Sequence, residues 1–337
     1  MRLNHYYSAD YLSHIRNITE SDMISFNSED SWEINLFVKK TSKGVAINSV
    51  PFYGSHGGIK SLSPSFDSYN LSQKDREQIP KVADLVFQHN PISLTIIENP
   101  FQDEKEKILN QYLFKILDKK VKLTFQQTKR IGYIKSVTNI KTNEDLLMSY
   151  HSKTRNCVKK WLKSEKLVEN VSITNSNFDH HLDWLWRNHY IGISKKGGIP
   201  KPQLFFTSLK ESYDPHRFQL LIAKEQSGEI IAGLLNFITN KTIEYWTPVV
   251  TTQGQKYNAI YGLIHSSMLY MIREKLEFFN FGGTWPSQES LARFKKRFGS
   301  EEKEYSYYTW YNKDFLSKID NDLILNEWPF YYIKNFD

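Results

Sequence analysis

Phe218 to Leu235 reads Phe-Gln-Leu-Leu-Ile-Ala-Lys-Glu-Gln-Ser-Gly-Glu-Ile-Ile-Ala-Gly-Leu-Leu. Two apolar runs flank a Ser-Gly turn, which is the pattern of a β-hairpin. Residues 33–47 show the same pattern, with a strand-like run, a Ser-Lys-Gly turn and a second apolar run. After each hairpin, a helix-like segment leads into a further apolar strand. The sequence therefore predicts an α/β unit that occurs twice.

A constant spacing of 184 residues relates the two copies. It matches Gly44 with Gly228, Leu85 with Leu269, and Leu94 with Phe278. The predicted helices run from about Lys81 to His89 and from Ala259 to Lys275. We expect two domains, each a mixed sheet flanked by helices: an N-terminal domain over residues 1–140 and a C-terminal domain over residues 171–337. A basic helical connector over residues 141–170 joins them.

The amino-acid composition limits the classes of protein to which the chain can belong. The chain has 337 residues, 40% of them apolar and 15% aromatic, which suits two buried cores and argues against general disorder. The single cysteine, Cys157, excludes an internal disulfide framework and a CxxC metal cluster. The net charge of +7 favours polyanionic partners such as RNA or nucleotide diphosphates. The sequence shows no apolar run of 18 residues and no signal-peptide core at its start, so we expect a cytoplasmic location.

The connector carries a concentrated positive charge. Thr142 and Asp145 have the spacing of a capping box, and the helix is expected to pause near His151. Beyond this pause, Val158, Trp161 and Leu162 are expected to face a core. Arg155, Lys159 and Lys163 repeat every four residues on the opposite helix face, which suits phosphate groups but also suits an ordinary solvated face.

A glycine-rich turn follows the last strand of the second copy. Asn280 to Ser290 reads Asn-Phe-Gly-Gly-Thr-Trp-Pro-Ser-Gln-Glu-Ser. We expect Ser287 to cap a helix that buries Leu291, Phe294 and Phe298 and ends at Gly299. Such a turn exposes backbone N–H groups that can bind an anion or a developing oxyanion.

Two further segments contain candidate binding residues. Pro51 to Ile59 is a glycine-rich loop after a strand and includes Tyr53, Ser55 and His56. Thr242 to Pro248 is a strand in which alternation places Glu244 and Trp246 on one face and Tyr245 on the other. Only one of these faces can line a cleft.

Taken together, these strings resemble the Fem-type aminoacyltransferases, which are built from two acetyltransferase-like (GNAT-type) domains. The matching strings are PFYGSHGGI (51–59), HSKTRN (151–156), GEIIAGLL (228–235), EYWTPV (244–249), NFGGTW (280–285) and RFKKRFG (293–299). They occur in the family's order over about residues 30–310. The chain is most similar to Fem-like members associated with surface-polysaccharide synthesis.

The resemblance implies transfer of an acyl or aminoacyl group to an amine, without a metal or a covalent enzyme intermediate. It maps the catalytic role to Lys295 and the binding of acceptor phosphates to Lys153 and Arg155. The predicted substrate-binding residues are Lys153, Arg155, Asn156, Tyr53, Ser55, His56, Tyr245, Trp246, Gly282, Gly283, Thr284, Trp285 and Phe294. Either His56 or an acceptor phosphate would take the proton from the amine.

The donor and the acceptor follow from the same resemblance. No tightly bound cofactor is expected, and the donor is either aminoacyl-tRNA or an acyl-CoA or acyl-carrier thioester. The acetyltransferase pyrophosphate pattern is imperfect at Gln253 to Ala259, because its glycine is displaced. The expected acceptor is an amino-sugar nucleotide or another cell-envelope glycan precursor. A non-catalytic module that binds sugar nucleotides or RNA remains the alternative from another class.

The C-terminal tail is rich in aromatic residues. Tyr305 to Tyr311 and Trp328 to Tyr332 contain most of them. We expect this tail to pack on the second domain or to form a dimer contact.

Overall fold

The computed structural model describes residues 5–28, 31–52, 55–62, 70–120, 122–164, 167–171, 175–239 and 241–334. The strands are β1 (Asp22–Asn27), β2 (Trp32–Thr41), β3 (Gly44–Asn48), β4 (Lys60–Ser61), β5 (Ser93–Ile97), β6 (Thr124–Ser136), β7 (Leu167–Asn170), β8 (Phe218–Lys224), β9 (Ile230–Ile238), β10 (Thr242–Val250), β11 (Phe278–Thr284) and β12 (Glu301–Tyr311). The helices are α1 (Ala9–Thr19), α2 (Gln73–Phe87), α3 (Glu104–Lys120), α4 (Asn143–Met148), α5 (Ser152–Leu162), α6 (Phe178–Ser194), α7 (Gln203–Thr207), α8 (Leu209–Ser212), α9 (Thr252–Lys256), α10 (Ala259–Arg273), α11 (Glu289–Lys296), α12 (Lys313–Leu316) and α13 (Asn321–Glu327).

The chain forms two compact units. The first contains Ile15–Ile131 and Lys303–Asp337, and the second contains Arg2–His14 and Gly132–Glu302. The expected boundaries at residues 140 and 171 follow the order of the chain, whereas in the structure the chain returns to the first unit at its end. The reason is β12, whose residues 307–311 pair antiparallel with β5.

The first unit is a mixed sheet in the order β1-β2-β3-β5-β12. β3 and β5 are parallel, and α2 is the crossover helix that joins them. Trp32, Ile34 and Leu36 alternate along β2 and enter one apolar core with residues of α2 and α3. The helix α2 begins earlier than predicted, because Ser72 and Asp75 form a capping box and Pro80 is accommodated inside the helix.

The second unit repeats this plan. Its sheet has the order β7-β8-β9-β10-β11, in which β10 and β11 are parallel and α10 is the crossover helix. The predicted mixed α/β architecture is therefore present in both units. The predicted correspondence between Gly44 and Gly228 is wrong by one strand. Gly44 begins β3, which is the strand that pairs parallel with the strand after the crossover helix in the first unit, whereas Gly228 precedes β9 and the corresponding strand of the second unit is β10.

The aromatic tail contributes to the first unit rather than to the second. Ser93 Oγ donates to the carbonyl of Ile333 at 2.8 Å, and Phe330 stacks on Phe52 with ring centroids 4.3 Å apart. Tyr307 of β12 pairs with Ile97. The expectation that the tail packs on the second domain is thus wrong for these segments, because their hydrogen-bonding partners lie on β5 and beside it.

The helical connector matches the prediction with one exception. The capping box of Thr142 and Asp145 starts α4, and the helix breaks before α5 at Ser152. Val158 and Trp161 are buried, but Leu162 is 50% exposed. Leu162 is the last residue of α5, where the helix has moved beyond the surface that covers its apolar face.

Close packing of α5 on α10 predicts a specific sensitivity. A Cβ added at Gly262 would lie 2.1 Å from Nε1 of Trp161, so Gly262→Ala should destabilise the protein by about 1–3 kcal/mol. Gly192 lies in the last turn of α6 with nothing within 4 Å of an added Cβ, so Gly192→Ala should be neutral or stabilise by up to about 1 kcal/mol. Urea unfolding of both variants measures the difference. Equal effects would refute the proposed close contact.

Candidate functional site

Three helices of the second unit meet at the first turn of α5. Trp161 fixes α5 on α10 through its contact with Gly262. The backbone N–H of His151 donates to the carbonyl of Arg297, at the end of α11, at 2.9 Å. The Nδ1 atom of His151 accepts from the backbone N–H of Lys153 at 3.3 Å and caps α5. The three helices therefore hold their side chains in a defined arrangement.

A cavity of about 320 Å³ opens at this junction. Its lining residues are Lys153, Thr154, Asn156, Cys157, Lys160, Asn258, Tyr261 and Arg297. Within the part of the chain that the structure describes, this lining contains three cations and no carboxylate. We call it the α5–α10–α11 cavity. Its charge favours an anionic ligand.

The first turn of α10 strengthens this preference. Asn258 precedes the helix in the left-handed region, with φ of 60°, and the first turn of α10 contains no acidic residue. Among the described residues, no side chain caps this turn. A helix N-terminus presents N–H groups and a partial positive charge, so it adds to the field of the three cations.

The two acidic groups in the cavity lining, the Cys157 thiol and the Tyr261 hydroxyl, keep their protons at pH 7. Burial raises the pKa of the Cys157 thiol above its ordinary value, although Lys160 and Arg297 act in the opposite direction. Burial also raises the pKa of Tyr261. Cys157 is therefore a thiol rather than a thiolate, and it is a poor nucleophile in this form.

A chain of buried hydrogen bonds connects β10 with α11. Asn280 Nδ2 donates to Glu244 Oε2 at 2.7 Å, and Asn280 Oδ1 accepts from the backbone N–H of Gly282 at 2.9 Å. Lys295 Nζ then donates to the carbonyls of Gly282 at 2.9 Å and Gly283 at 3.1 Å. This buried hydrogen-bond chain fixes the glycine turn between strand and helix. Burial raises the pKa of Glu244 to about 8, so its carboxyl is protonated at neutral pH.

The parallel strands β10 and β11 pair over a short length. Their register covers Thr242–Glu244 with Phe278–Asn280. Both strands continue beyond it, and β10 has an irregularity between Tyr245 and Thr247 where it pairs with β9. Glu244 and Asn280 thus form the last of these pairs, directly before the irregularity in β10.

The predicted phosphate-binding residues divide between two faces of α5. Lys153 and Asn156 line the α5–α10–α11 cavity. Arg155 does not, and its Nη1 lies 2.8 Å from Sδ of Met148. The predicted stripe of Arg155, Lys159 and Lys163 is also absent from this lining, because a face directly opposite the buried one points to solvent. The cavity is instead lined by the flanking face of α5, which carries Lys153, Asn156 and Lys160.

The glycine turn and residues 289–296 of α11 are absent from the cavity lining, whereas Arg297, directly after α11, belongs to it. Lys295 is 3% exposed and holds the turn at Gly282 and Gly283. Thr284 is buried at the end of β11, and its side chain forms a hydrogen bond with Tyr133.

The remaining predicted residues of this segment surround α11. Ser287 does not cap α11, contrary to expectation. The helix begins after Gln288, whose side chain accepts from the backbone N–H of Trp285 at 3.0 Å. Phe294 packs edge-on against Tyr261, with ring centroids 5.4 Å apart. Phe294 therefore supports one wall of the α5–α10–α11 cavity. Leu291, expected in the core, is 38% exposed because it lies in the first turn of α11.

Tyr245 and Trp246 belong to aromatic clusters. Tyr245 packs against Phe281, with ring centroids 5.6 Å apart. Trp246 packs against Phe237 at 5.5 Å and Phe205 at 6.1 Å. The predicted alternation is present, but neither residue lines the α5–α10–α11 cavity. Their assignment as binding residues stays a prediction.

The predicted loop residues of the first unit are partly described. Tyr53 lies outside the described residues. Ser55 and His56 are fully buried. Burial lowers the pKa of His56 to about 3, and Tyr305 lies edge-on to its ring at 5.0 Å. A buried neutral imidazole is a weak base and is shielded from a ligand, so this geometry argues against His56 as the proton carrier.

Sequence reasoning missed several residues of the site. Lys160, Asn258 and Arg297 line the cavity, and Glu244 with Asn280 forms the buried hydrogen-bond chain. The signal for Lys160 was present, because Lys153, Asn156 and Lys160 share a helix face at spacings of three and four. Asn258 and Arg297 come from distant segments that only the fold brings together.

The displaced glycine of the pyrophosphate-like segment has a packing role. A Cβ at Gly254 would lie 2.2 Å from the carbonyl oxygen of Ile231, so α9 can approach β9 only with glycine there. Thr251 caps α9 by accepting from the backbone N–H of Gly254 at 3.1 Å. Across the described ranges, no group of three or more His, Cys, Asp or Glu residues could hold a metal ion.

Comparison with known proteins finds a match to a family model over part of the chain and structural similarity over most of it. Residues 209–306 match the model of the FemAB family. FemX is 12% identical over 96% of this chain and 94% of its own, with a TM-score of 0.62. L-PGS from Bacillus licheniformis is 12% identical over 94% of this chain and 90% of its own, with a TM-score of 0.55. No curated protein sequence matches the chain.

These findings confirm the predicted resemblance to the Fem-type proteins and the predicted fold class, while the predicted association with surface-polysaccharide synthesis stays a prediction. The family match includes the glycine turn, Lys295 and Arg297, but it begins after α5 and leaves Lys153 and Lys160 outside. At 12% identity the structural similarities concern the fold.

The raised pKa of Glu244 predicts a pH dependence of stability. The folded carboxyl has a pKa of about 8 against an ordinary value of 4.5, so the folded state holds the proton more tightly. The stability that this proton contributes is fully present below the unfolded pKa, falls by roughly 1.4 kcal/mol per pH unit between the two pKa values, and is lost once the pH has risen through about 8. Between pH 6 and pH 9, urea unfolding should show the wild type losing about 2.7 kcal/mol more than Glu244→Gln.

A control separates this effect from general alkaline destabilisation. Glu229 lies in the exposed turn between β8 and β9, so Glu229→Gln should follow the wild type. If Glu244→Gln and the wild type lose stability in parallel, the buried carboxyl does not hold a proton at neutral pH.

Proposed function

We propose that this chain, a FemAB-like transferase of the tandem GNAT type, moves an aminoacyl or acyl group onto an amine of a phosphate-bearing cell-envelope precursor. The family match supports an amide-forming transferase. The observation that carries the finer proposal is the α5–α10–α11 cavity, whose lining contains three cations together with Asn258, the residue before the first turn of α10. An amino-sugar nucleotide has the phosphates that such a cavity would bind.

The cavity is proposed to bind the acceptor through its phosphates. Lys153 and Lys160 come from one face of α5, and Arg297 reaches the cavity from the end of α11. Guanidinium and ammonium groups form charge-assisted hydrogen bonds with phosphate oxygens. Asn156 and Asn258 add uncharged hydrogen-bonding groups. In this proposal Arg155, which lies beside Met148, contributes only a longer-range charge.

The reaction needs no redox partner. The amine nitrogen forms a bond to the carbonyl carbon of the donor, and the ester C–O or thioester C–S bond breaks. The amine proton leaves with the departing oxygen or sulfur, carried by a base. Since His56 is buried, we propose an acceptor phosphate as that base. The donor is proposed to be aminoacyl-tRNA, with an acyl-CoA or acyl-carrier thioester as the alternative.

Lys295 is proposed to act through the glycine turn. Its ammonium group is buried against the carbonyls of Gly282 and Gly283 and lies 5.5 Å from the centre of the Tyr133 ring. It therefore fixes the backbone at the end of β11 and brings a positive charge close to it. A preorganised charge stabilises an oxyanion that develops nearby. Lys295 remains our proposed key residue for the reaction, as a positioning residue in the geometry seen here.

Single substitutions on α5 and at the end of α11 test the phosphate-binding proposal. Lys160→Ala and Arg297→Ala should each weaken the binding of UDP by about tenfold or more, because each removes a charge-assisted hydrogen bond. Lys159→Ala is the matched control, since Lys159 is exposed and absent from the cavity lining. Isothermal titration calorimetry with UDP at two salt concentrations measures the change. Unchanged affinity in both cavity variants, or an equal loss in Lys159→Ala, would exclude the cavity as the phosphate site.

Neighbouring lysines on α11 test the role of Lys295. Lys295→Met should lower the rate of amide formation by roughly 10²–10³, because the glycine turn loses its buried ammonium. Lys296 is exposed and pairs with Glu302 at 2.8 Å, so Lys296→Met should retain activity within about threefold. The assay offers an amino-sugar nucleotide with aminoacyl-tRNA or with acyl-CoA and detects the amide by mass spectrometry.

The two donors and the binding-only alternative give different results in this assay. Product from aminoacyl-tRNA alone supports the proposed donor, and product from acyl-CoA alone supports the thioester alternative. Binding of UDP without product from either donor would favour a binding module. Wild-type turnover in Lys295→Met, with unchanged unfolding midpoints, would remove Lys295 from the mechanism.

A further inference from the structure

Residues 190–204 concentrate exposed apolar side chains on one short stretch of the second unit. Tyr190 and Ile191 are each 50% exposed in the last turn of α6, Ile199 is 37% exposed in the following loop, and Leu204 is 53% exposed in α7. In the described part of the chain, the large exposed apolar side chains number eight, so this stretch holds half of them. Such clustering is typical of a binding surface.

The same stretch carries positive charge and no acid. Its sequence is YIGISKKGGIPKPQL, which contains three lysines and no aspartate or glutamate. Lys195 and Lys196 are exposed at the end of α6. Lys201 lies 5.4 Å from the centre of the Trp246 ring, so we count only the two exposed lysines as free to meet a partner. The surface thus combines exposed cations with exposed apolar groups.

Hydrogen bonds give the stretch a defined shape. The backbone N–H of Gly198 donates to the carbonyl of Ile193 at 3.1 Å, and the backbone N–H of Lys201 donates to Nε2 of His189 at 3.1 Å. Phe205 is buried and anchors the start of α7. The loop therefore presents Ile199 and the two lysines from a fixed base.

We propose that residues 190–204 dock on the surface of an anionic lipid bilayer. The apolar side chains would enter the interface between headgroups and acyl chains, and Lys195 and Lys196 would meet acidic headgroups. Trp186 and Tyr190 lie with ring centroids 6.1 Å apart on α6, and such aromatic residues favour that interface. An RNA surface would use the lysines but would leave the four apolar side chains exposed to water.

This docking is peripheral. Among the described residues, no helix is long and apolar enough to cross a membrane. The proposal does not depend on the proposed transferase activity, and it can be tested with the full chain and vesicles alone.

Vesicle sedimentation tests the proposal. The protein should bind vesicles of 30% phosphatidylglycerol in phosphatidylcholine at least about tenfold more tightly than vesicles of pure phosphatidylcholine. Lys195→Glu/Lys196→Glu should lose at least about twentyfold of this affinity, since each lysine near an anionic surface accounts for about fivefold. Ile191→Ser/Ile199→Ser should lose about tenfold, also at low salt.

Matched variants guard against general effects of charge and surface change. Lys313 and Lys318 are exposed in the first unit, so Lys313→Glu/Lys318→Glu has the same charge change and should stay within about twofold of the wild type. Leu162→Ser is the apolar control, because Leu162 is 50% exposed on α5. Equal losses in control and test variants would overturn the proposal.

A second measurement keeps the proposal testable if a variant fails to fold. A fluorophore that responds to polarity, attached to Ser194→Cys in a Cys157→Ser chain, should shift to the blue on anionic vesicles and not on neutral ones. No shift, with vesicle binding intact, would place the docking surface elsewhere. A loss with the lysine variant but none with the isoleucine variant would show attraction by charge alone and would refute the proposed entry of the apolar side chains into the bilayer interface.

Discussion

The contact between Trp161 and Gly262 is the constraint on which the candidate site depends. Only glycine lets the indole approach the backbone of α10 so closely, and this approach sets the rotation of α5. The buried face of α5 then contains Thr154, Val158 and Trp161. Residues flanking that face are directed along the junction with α10 rather than away from it. The position of the cations in the cavity is therefore a consequence of apolar packing.

A set of hydrogen bonds fixes the glycine turn at the end of β11. The buried hydrogen-bond chain runs from a protonated carboxyl on β10, through Asn280, to the ammonium of Lys295. An ionised Glu244 at this depth would be strongly desolvated, which explains its raised pKa. The strands β10 and β11 are thus linked to α11 through polar groups that form hydrogen bonds with one another. This arrangement preorganises the backbone where β11 ends, which is the property that a site for acyl transfer requires.

The sequence predicted the repeated α/β plan because hairpins, crossover helices and strands leave strong local patterns. The match of Gly44 with Gly228 failed because the second unit carries an additional hairpin strand before its crossover helix, and a constant spacing cannot reveal an inserted strand. In α5, the four-residue spacing of Arg155 and Lys159 was read correctly as a helix face. Its role in phosphate binding stays a prediction, since local spacing does not show which faces border a neighbouring helix. Arg297 and Asn258 join the cavity through tertiary contacts between distant segments, which no local pattern encodes.

The return of β12 to β5 has a consequence for how the protein is made. Residues 307–311 pair with β5, which was synthesised some two hundred residues earlier, and the carbonyls of Tyr332 and Ile333 accept hydrogen bonds from Thr95 and Ser93. On a ribosome, all segments of the second unit emerge before those last partners do. The first unit, most of which is synthesised early, is therefore completed last, and until then β5 presents an unpaired edge that a nascent chain must protect.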